Sequence, residues 1–333
     1  MSDQRESVRD LQTFLESRAH DCPSAVLEDL VRTGVGELPL PGGGRTKLRF
    51  WLLRTLGAHD LSLARLAEGH ADAVAILAEA AKFAPKGARL GVWAAGPPDE
   101  LIASQDAPGW RLNGRRRWCS GAPSLTHALV RAQAPDGDRL FLVPLDQPGA
   151  QVIRNTWPAV GMADSLTFDV AFDGVQVASN GAVGEPGFYG SRPGFWIGSI
   201  GVAAVWLGGA EAVGSLLAAK AGEDPHRLAH LGAVIARLFG LDSLFERAER
   251  IIDEEEPDVR CLERLARIVR SEVEAGATEI LLRTGRATGA DPLCHDAAHA
   301  RRVADLTVYL RQTHGEADLA ALGTLVQKTP REQ

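Results

Sequence analysis

Apolar residues recur at steps of three and four along the first 85 residues, and this spacing predicts amphipathic helices. The segment Pro39–Gly44 interrupts the pattern, because proline and three consecutive glycines do not suit a helix interior. A second pair of helices is predicted beyond it, with Asp60 and Ser62 as candidate caps between them. The first part of the chain is therefore predicted to be helical.

From about residue 90 to 177 the apolar runs become short, β-branched and separated by turns, which is typical of strands of about 3–7 residues. The predicted strands are Arg89–Trp93, Trp110–Leu112, Arg115–Cys119, His127–Ala132, Leu140–Pro144, Gln151–Asn155 and Ser165–Val170. Asn113-Gly114 predicts a two-residue hairpin turn, since both central positions of such a turn need positive φ. Pro135–Asp138 predicts another turn. Short strands uninterrupted by helix indicate a small β-barrel or sandwich.

Helical spacing returns after Phe195. The predicted helices are Trp196–Lys220, roughly Pro225–Asp253, Pro257–Thr288, and a last one from about His295 to Leu325. Trp196–Lys220 is rich in alanine and glycine, which lets a helix approach a neighbour or a ligand closely. The pattern thus divides an α+β multidomain chain into an N-terminal helical domain (1–85), a β-domain (86–190) and a helical bundle (191–333).

Composition narrows the class of protein. The net charge is −7, so the basic excess of a general nucleic-acid binder is missing. The four cysteines are far apart, which supports neither a zinc site nor a disulfide framework. The polar start of the sequence and the lack of about 18 uninterrupted apolar residues predict a cytoplasmic protein outside the membrane. The basic cluster Arg115–Arg117 fits a solvated strand face or a contact with phosphate or carboxylate.

The order of helices, strands and helical bundle resembles the acyl-CoA dehydrogenase superfamily, and three passages carry the resemblance. Residues 60–70 are similar to a late N-terminal helix of that family. Gly109–Ala122, GWRLNGRRRWCSGA, is similar to the family's "GWxLNGxKxWxTxG" segment. Trp157–Val177, followed by Gly184–Gly187, is similar to the passage that closes the family's β-domain. The resemblance implies an N-terminal helical domain, a middle β-barrel and a C-terminal four-helix bundle.

The resemblance also implies bound FAD. By position, Trp118 contacts the flavin ring, Ser120 supplies a hydroxyl and the backbone of Cys119 contributes between them. The preceding strand lacks the family's hydroxyl and acidic groups, which leaves the backbone at Val92 and the ring of Trp93 as contacts. The same residues also fit a plain β-hairpin with a core tryptophan.

A cation for the cofactor pyrophosphate is the next element of the family's site. Its position falls at Arg227 or the adjacent His226, although the spacing differs by one residue. The family's glycine loop is replaced around Gly289, which would keep a tight turn.

Acyl-CoA dehydrogenases remove the α-proton of a thioester with a glutamate, and this sequence departs from them there. The usual position falls at Arg311, and the alternative near Trp196–Ile197. An arginine stays protonated and cannot act as a base. His314, predicted to lie one helical turn from Arg311, and Glu316 are the remaining candidates for the base.

Three hypotheses for function follow. The first is an FAD-dependent oxidoreductase that oxidises an acyl-CoA or acyl-carrier thioester at the α,β carbons, with a flavoprotein or reductase as electron partner. The second is a flavin-dependent monooxygenase of the same fold, which needs no α-proton base and fits Arg311 with His314. The third is a non-catalytic paralogue that has lost the base or the cofactor. The resemblance further implies a homo-dimer or homo-tetramer.

Overall fold

The computed structural model describes residues 2–327, which group into two compact units. Unit 1 contains the chain up to Leu38, Arg65–Ala159 and Ala163–Phe195. Unit 2 contains Pro39–Ala64, Val160–Met162 and the chain from Trp196 onward. The division of the sequence at residues 86 and 190 follows the type of secondary structure and stays a prediction.

The N-terminal part forms four helices, as predicted. They are α1 (Ser2–Glu16), α2 (Pro23–Thr33), α3 (Thr46–His59) and α4 (Leu61–Glu79). Pro39–Gly44 is a loop. The Asp60 carboxylate accepts a 2.7 Å hydrogen bond from the Leu63 amide, so it caps α4 at the predicted position.

The middle part forms one mixed eight-stranded sheet in unit 1. The strands are β1 (Leu90–Trp93), β2 (Leu101–Asp106), β3 (Gly109–Cys119), β4 (His127–Ala134), β5 (Gly137–Pro144), β6 (Ala150–Ile153), β7 (Phe168–Val177) and β8 (Ala182–Val183). Their order is β6-β7-β3-β2-β4-β5-β8, with β1 parallel to β4. The predicted turn before Asp138 connects β4 and β5, an antiparallel pair.

The predicted hairpin turn at Asn113-Gly114 is wrong, because β3 runs through it as one strand. The register with β7 shifts between Leu112 and Gly114, so the dipeptide forms an irregularity inside the strand. Gly114 has φ +131°, and a Cβ there would lie 2.4 Å from the Glu100 carbonyl oxygen. The hairpin partner of β3 is β2, which the sequence pattern missed.

The core of unit 1 lies between the sheet and α4. Leu90, Leu129 and Leu140 of the sheet pack in one cluster with Ile76 and Leu77 of the helix, and all five are at most 2% exposed. Continuous apolar burial of this kind is the main stabilising contribution in a sheet covered by a helix.

The C-terminal part is helical. Its helices are α5 (Phe188–Ser191), α6 (Pro193–Lys220), α7 (Pro225–Glu254), α8 (Val259–Thr288), α9 (Asp291–His295), α10 (Ala297–Tyr309) and α11 (Glu316–Gln327). A Cβ at Gly208 of α6 would lie 2.0 Å from the carbonyl oxygen of Arg54 on α3. The glycines of α6 therefore let two backbones touch, which is one of the uses predicted for them.

The predicted single last helix is wrong. After Tyr309 the chain forms a 3-10 turn, Leu310–Gln312, and then an extended residue, Thr313. Gly315 has φ +50°, in the left-handed region that glycine tolerates, and α11 begins one residue later. Because the helix breaks here, Arg311 and His314 do not share a helix face.

Two helices, α6 and α7, are long and apolar enough to cross a membrane by length and composition alone. The most apolar window of α6 is 78% buried, as expected of a core helix in unit 2, whereas that of α7 is 17% buried. The exposed apolar side chains of α7 include Ile235 and Phe239, which are 57% and 74% exposed.

Candidate functional site

A half-exposed tryptophan stands at the end of β3. Trp118 is 54% exposed, and its ring centroid lies 5.9 Å from that of Trp157, edge to face. The register with β7 shifts between Arg116 and Cys119, and Trp118 takes φ +63°. A non-glycine residue in this region is strained, and such strain concentrates at functional sites. The strand end thus presents a flat aromatic surface to solvent.

Three buried hydroxyls form a chain behind this tryptophan. The Thr167 hydroxyl donates to Ser120 Oγ at 3.0 Å, and Ser165 Oγ lies 2.8 Å from Thr167 Oγ1. A hydroxyl has one hydrogen, so Ser165 is the donor to Thr167. Within residues 2–327, no acceptor takes the hydrogen of Ser120 itself. Ser120 is 7% exposed, so this hydrogen is a buried donor that is free for a ligand.

Backbone contacts hold the hydroxyl chain in place. The Gly121 amide donates to the Ser165 carbonyl oxygen at 2.9 Å, which ties the end of β3 to the segment before β7. The indole of Trp93 donates to the Ser120 carbonyl oxygen at 3.1 Å. Trp93 is 1% exposed, so it supports Ser120 from the core and offers no face for stacking. The side chain of Val92 packs on the core cluster between the sheet and α4.

Arg116 anchors the loop that follows β1. Its guanidinium is fully buried and donates to the carbonyl oxygens of Pro97, at 2.6 Å, and Ala95. Burial lowers the pKa of this guanidinium from its usual high value. Fixing two loop carbonyls gives the segment after β1 a defined backbone, although it lacks the hydroxyl and acidic groups of the family pattern.

The other two arginines of the basic cluster are engaged by carboxylates. Arg115 Nε lies 2.8 Å from Asp169 Oδ2, and Arg117 Nε lies 3.1 Å from Glu100 Oε2. Both arginine side chains are about half exposed, so each pair contributes little to stability. Cys119, between Trp118 and Ser120, is fully buried, and burial raises the pKa of its thiol well above the usual range.

The candidate bases lie on the surface of unit 2. Arg311 forms an ion pair with Glu274 of α8. The His314 side chain is 80% exposed and its Nδ1 lies 3.6 Å from the Asp318 carboxylate, which also accepts from the His314 amide. Glu316 is exposed in the first turn of α11. Arg311, His314 and Glu316 are therefore exposed surface groups, and their assignment as catalytic residues stays a prediction.

The other positions carried over from the family also lie in unit 2. Arg227 is exposed in the first turn of α7 and donates to the Lys220 carbonyl oxygen at 3.1 Å. At the alternative position for the base, Ile197 is 4% exposed and the guanidinium of Arg267 lies 5.2 Å from the Trp196 ring centroid. Gly289, with φ +70°, ends α8 as the predicted tight turn.

Sequence reasoning missed Ser165, Thr167 and Trp157 as members of the site. The signal was present, since Ser165 and Thr167 are two residues apart within the predicted strand Ser165–Val170, where alternate residues share a side. Trp157 opened the third resembling passage, but its contact with Trp118 depends on the fold of two separate segments.

The fold and the strand-end site define an α+β protein with the acyl-CoA dehydrogenase fold. Residues 91–175 match the middle domain of acyl-CoA dehydrogenases. They contain β2–β6 and most of β1 and β7, and with them Trp118, Ser120 and Thr167. The chain belongs to the acyl-CoA dehydrogenase superfamily.

The known proteins that are similar to this chain are named for several different activities. RubN8 of Streptomyces rubradiris, an amino sugar nitrososynthase, is 28% identical over 235 residues, which are 58% of this chain and 53% of that protein. The matched segment thus spans about half the length of this relative.

Two solved structures show the same fold. TdsC of Paenibacillus sp. A11-2, a dibenzothiophene monooxygenase solved with FMN and indole, has a TM-score of 0.83 at 19% identity and covers 98% of this chain and 97% of its own. Glutaryl-CoA dehydrogenase of Mycobacterium smegmatis, solved with FADH2, has a TM-score of 0.83 at 16% identity and covers 100% and 96%. At sequence identities this low, the structural similarity establishes the fold alone.

Proposed function

We propose that this protein binds a flavin and acts as a flavin-dependent monooxygenase. The flavin proposal rests on two groups at the end of β3. One is the exposed indole of Trp118, and the other is the buried hydroxyl hydrogen of Ser120, which has no acceptor among the described residues. An aromatic face and a fixed donor are what a flat heteroaromatic ring with a polar edge requires. The FAD implied by the family resemblance is the predicted form, and FMN, found in TdsC, is the other candidate.

The residues of the strand end have distinct parts in this proposal. Trp118 covers one region of the ring and excludes water from it, Ser120 donates to a ring oxygen or nitrogen, and Thr167 orients the Ser120 hydroxyl. When bound and reduced, the flavin supplies the activation of molecular oxygen for transfer to a substrate heteroatom. Arg116 keeps the loop after β1 fixed beside the strand end.

The monooxygenase proposal is preferred to the dehydrogenase because of the residues at the positions of the base. Arg311 is held by Glu274, and Trp196 and Ile197 carry no ionisable group. Removal of an α-proton needs a positioned base at the thioester. A monooxygenase has no such requirement, and two of the similar proteins, a nitrososynthase and a dibenzothiophene monooxygenase, are named for oxidations of this kind.

The proposed substrate is a small molecule with an oxidisable nitrogen or sulfur, since similar proteins are named for an amino sugar and for dibenzothiophene. An acyl-CoA or acyl-carrier thioester is the substrate of the dehydrogenase alternative. A separate flavin reductase is the proposed electron partner.

Absorbance of the purified protein tests the flavin proposal. We expect a yellow protein, or a colourless one that takes up added FMN or FAD, and cofactor released by heat identifies which flavin is bound. Trp118→Ala and Ser120→Ala are expected to weaken flavin binding. Phe83→Ala removes another exposed aromatic of unit 1, 93% exposed, and is the matched control. A wild-type protein that takes up neither flavin refutes both enzyme hypotheses and favours the non-catalytic paralogue.

Turnover assays then separate the two enzyme classes. With a flavin reductase and NADH, a monooxygenase consumes oxygen in proportion to an added amine or thioether substrate. Anaerobic bleaching of the bound flavin by a panel of acyl-CoA thioesters, without substrate-dependent oxygen uptake, would assign the protein to the dehydrogenases instead.

We also propose that the protein is a homo-oligomer, as the resemblance implies. The support is the apolar surface of α7, where Ile235 and Phe239 are exposed, together with Leu282 of α8, 58% exposed. Exposed apolar surface of this extent is typical of contact with another chain. Light scattering during gel filtration tests the proposal, and Phe239→Glu is expected to shift the protein towards the monomer.

A further inference from the structure

A cavity of about 250 Å³ lies among α3, α6 and α7 of unit 2. Its wall is built from two matching helix faces. The lining residues are Lys47, Phe50, Trp51 and Arg54 from α3, and Asp242, Phe245, Glu246 and Glu249 from α7. Both sets follow the i, i+3, i+4, i+7 spacing of one helix face, so each helix turns a continuous stripe towards the cavity.

Glu249 is a buried carboxylate without a partner. It is 9% exposed and lines the cavity. Within residues 2–327 its carboxylate makes no hydrogen bond and no ion pair. A buried carboxylate that lacks a partner is costly to the folded state, and such groups occur where a ligand or ion completes them.

The lining of the cavity contains three carboxylates, Asp242, Glu246 and Glu249, against two cations, Lys47 and Arg54. Arg54, on the rim of the cavity, is committed to Glu211 and Asp242, with its Nη1 2.6 Å from Asp242 Oδ1. Lys47 is the other nearby cation, and its Nζ lies over the Trp51 ring at 4.9 Å from the centroid. The electrostatics of the cavity therefore favour a cation over an anion.

Aromatic rings form the rest of the wall. Phe50 and Phe245 pack edge to face with centroids 5.4 Å apart, and Trp51 is partly exposed beside them. Aromatic faces attract cations, as the position of Lys47 over Trp51 shows within this protein. They also bury the apolar body of a ligand.

We propose that this cavity binds a small organic ammonium ion with an apolar body, with Glu249 as its counter-ion and Trp51 as part of its aromatic wall. The proposal does not depend on flavin binding, since the cavity is built within unit 2 from residues of α3, α6 and α7.

The protonation of Glu249 makes binding pH-dependent. Burial raises the pKa of Glu249 from 4.5 to about 7. The charged groups that act on it are Lys47 and Arg54 from α3, and Glu246 and Asp253 from its own helix, while α6 contributes the uncharged Ala204 and Leu207. An ammonium ion needs the carboxylate form, so affinity rises with pH towards about 7 and binding below it releases a proton.

Titration calorimetry with benzylammonium tests the proposal, with benzyl alcohol and benzoate as neutral and anionic probes of similar shape. We expect benzylammonium to bind more tightly than either by at least about tenfold. Measurements at pH 6 in two buffers of different ionisation enthalpy are expected to show proton release. Absence of benzylammonium binding, or equal binding of the alcohol, overturns the proposal.

Three variants locate the site. Glu249→Gln keeps the shape of the side chain and is expected to lower benzylammonium affinity by about tenfold or more and to abolish proton release. Glu254→Gln, an exposed carboxylate of α7 that does not line the cavity, is the matched control and should change affinity by less than about threefold. Lys47→Gln removes a competing cation and should strengthen binding. Unchanged affinity in Glu249→Gln, with its thermal unfolding intact, would place the ligand elsewhere and refute the site.

Discussion

The unpartnered carboxylate of Glu249 should make the stability of the protein depend on pH in a direction opposite to that of most carboxylates. Its pKa is raised to about 7 by burial, above the ordinary value of 4.5 that it regains on unfolding. Between these values the folded state binds more protons than the unfolded state, so stability falls as pH rises. The contribution is fully present below about 4.5 and is lost by about 7.

The magnitude follows from the shift. Each pKa unit corresponds to about 1.4 kcal/mol, so a shift from 4.5 to about 7 corresponds to about 3 kcal/mol. Glu249→Gln removes the ionisation while keeping an amide of similar size. Because solvent in the cavity screens the charge, the energy from the shift is an upper value, and we expect the variant to match the wild-type protein at pH 4.5 and to be more stable by about 1–3 kcal/mol at pH 8.

Urea unfolding of both proteins at a series of pH values is the assay. The quantity that decides is the difference in unfolding free energy between variant and wild type, which cancels the titration of all other groups. Glu254→Gln, an exposed carboxylate of the same helix outside the cavity lining, is the control and should give a small difference that changes little with pH. If the difference for Glu249→Gln does not grow between pH 5 and pH 8, Glu249 ionises normally and the reasoning from its burial is wrong.

Three shorter predictions concern other parts of the protein. Thr167→Val removes the hydroxyl bond to Ser120 and should cost about 1 kcal/mol in denaturant unfolding and weaken any bound flavin in an absorbance titration. Gly161→Ala would put a Cβ 2.1 Å from the Ala304 carbonyl oxygen, so thermal unfolding should show a loss of about 2 kcal/mol or more. His314→Ala should leave turnover unchanged in a steady-state assay, since that side chain is 80% exposed, and a large loss would support the catalytic role predicted for His314 from the sequence.

Local patterns predicted the elements of the fold well where local preferences agree with the tertiary structure. The spacing of apolar residues predicted the four N-terminal helices, and the middle strands were recognised except for β2 and the two-residue β8. Strand β2 has only Leu101 and Ala103 as buried apolar residues, and polar residues follow them. So short an alternation is a weak signal. Its existence is decided by pairing with β3 and β4, which no window of sequence contains.

The errors at Asn113-Gly114 and around Gly315 share a cause. Both glycines adopt positive φ, as glycine in a turn would. At Gly114 the lack of a Cβ lets β2 pack closely against β3. The carbonyl oxygen of Glu100, next to β2, would leave no room for a Cβ there. Gly315 lies in the break between α10 and α11, directly before the first residue of α11. Glycine marks a special backbone conformation, but the surrounding contacts decide which one it is.

In the candidate site, too, some features follow from local sequence and others depend on contacts between distant segments. Trp118 and Ser120 were found because a contiguous segment resembles a known family, whereas the exposure of Trp118 depends on a register shift against β7 that only the folded sheet reveals. The cavity beside Glu249 could not be predicted from local sequence patterns. Its two helix faces are regular stripes that equally predict core packing, and nothing local tells Glu249 from the exposed Glu246. What distinguishes the two carboxylates is their burial, which depends on the packing of helices that are distant in the sequence.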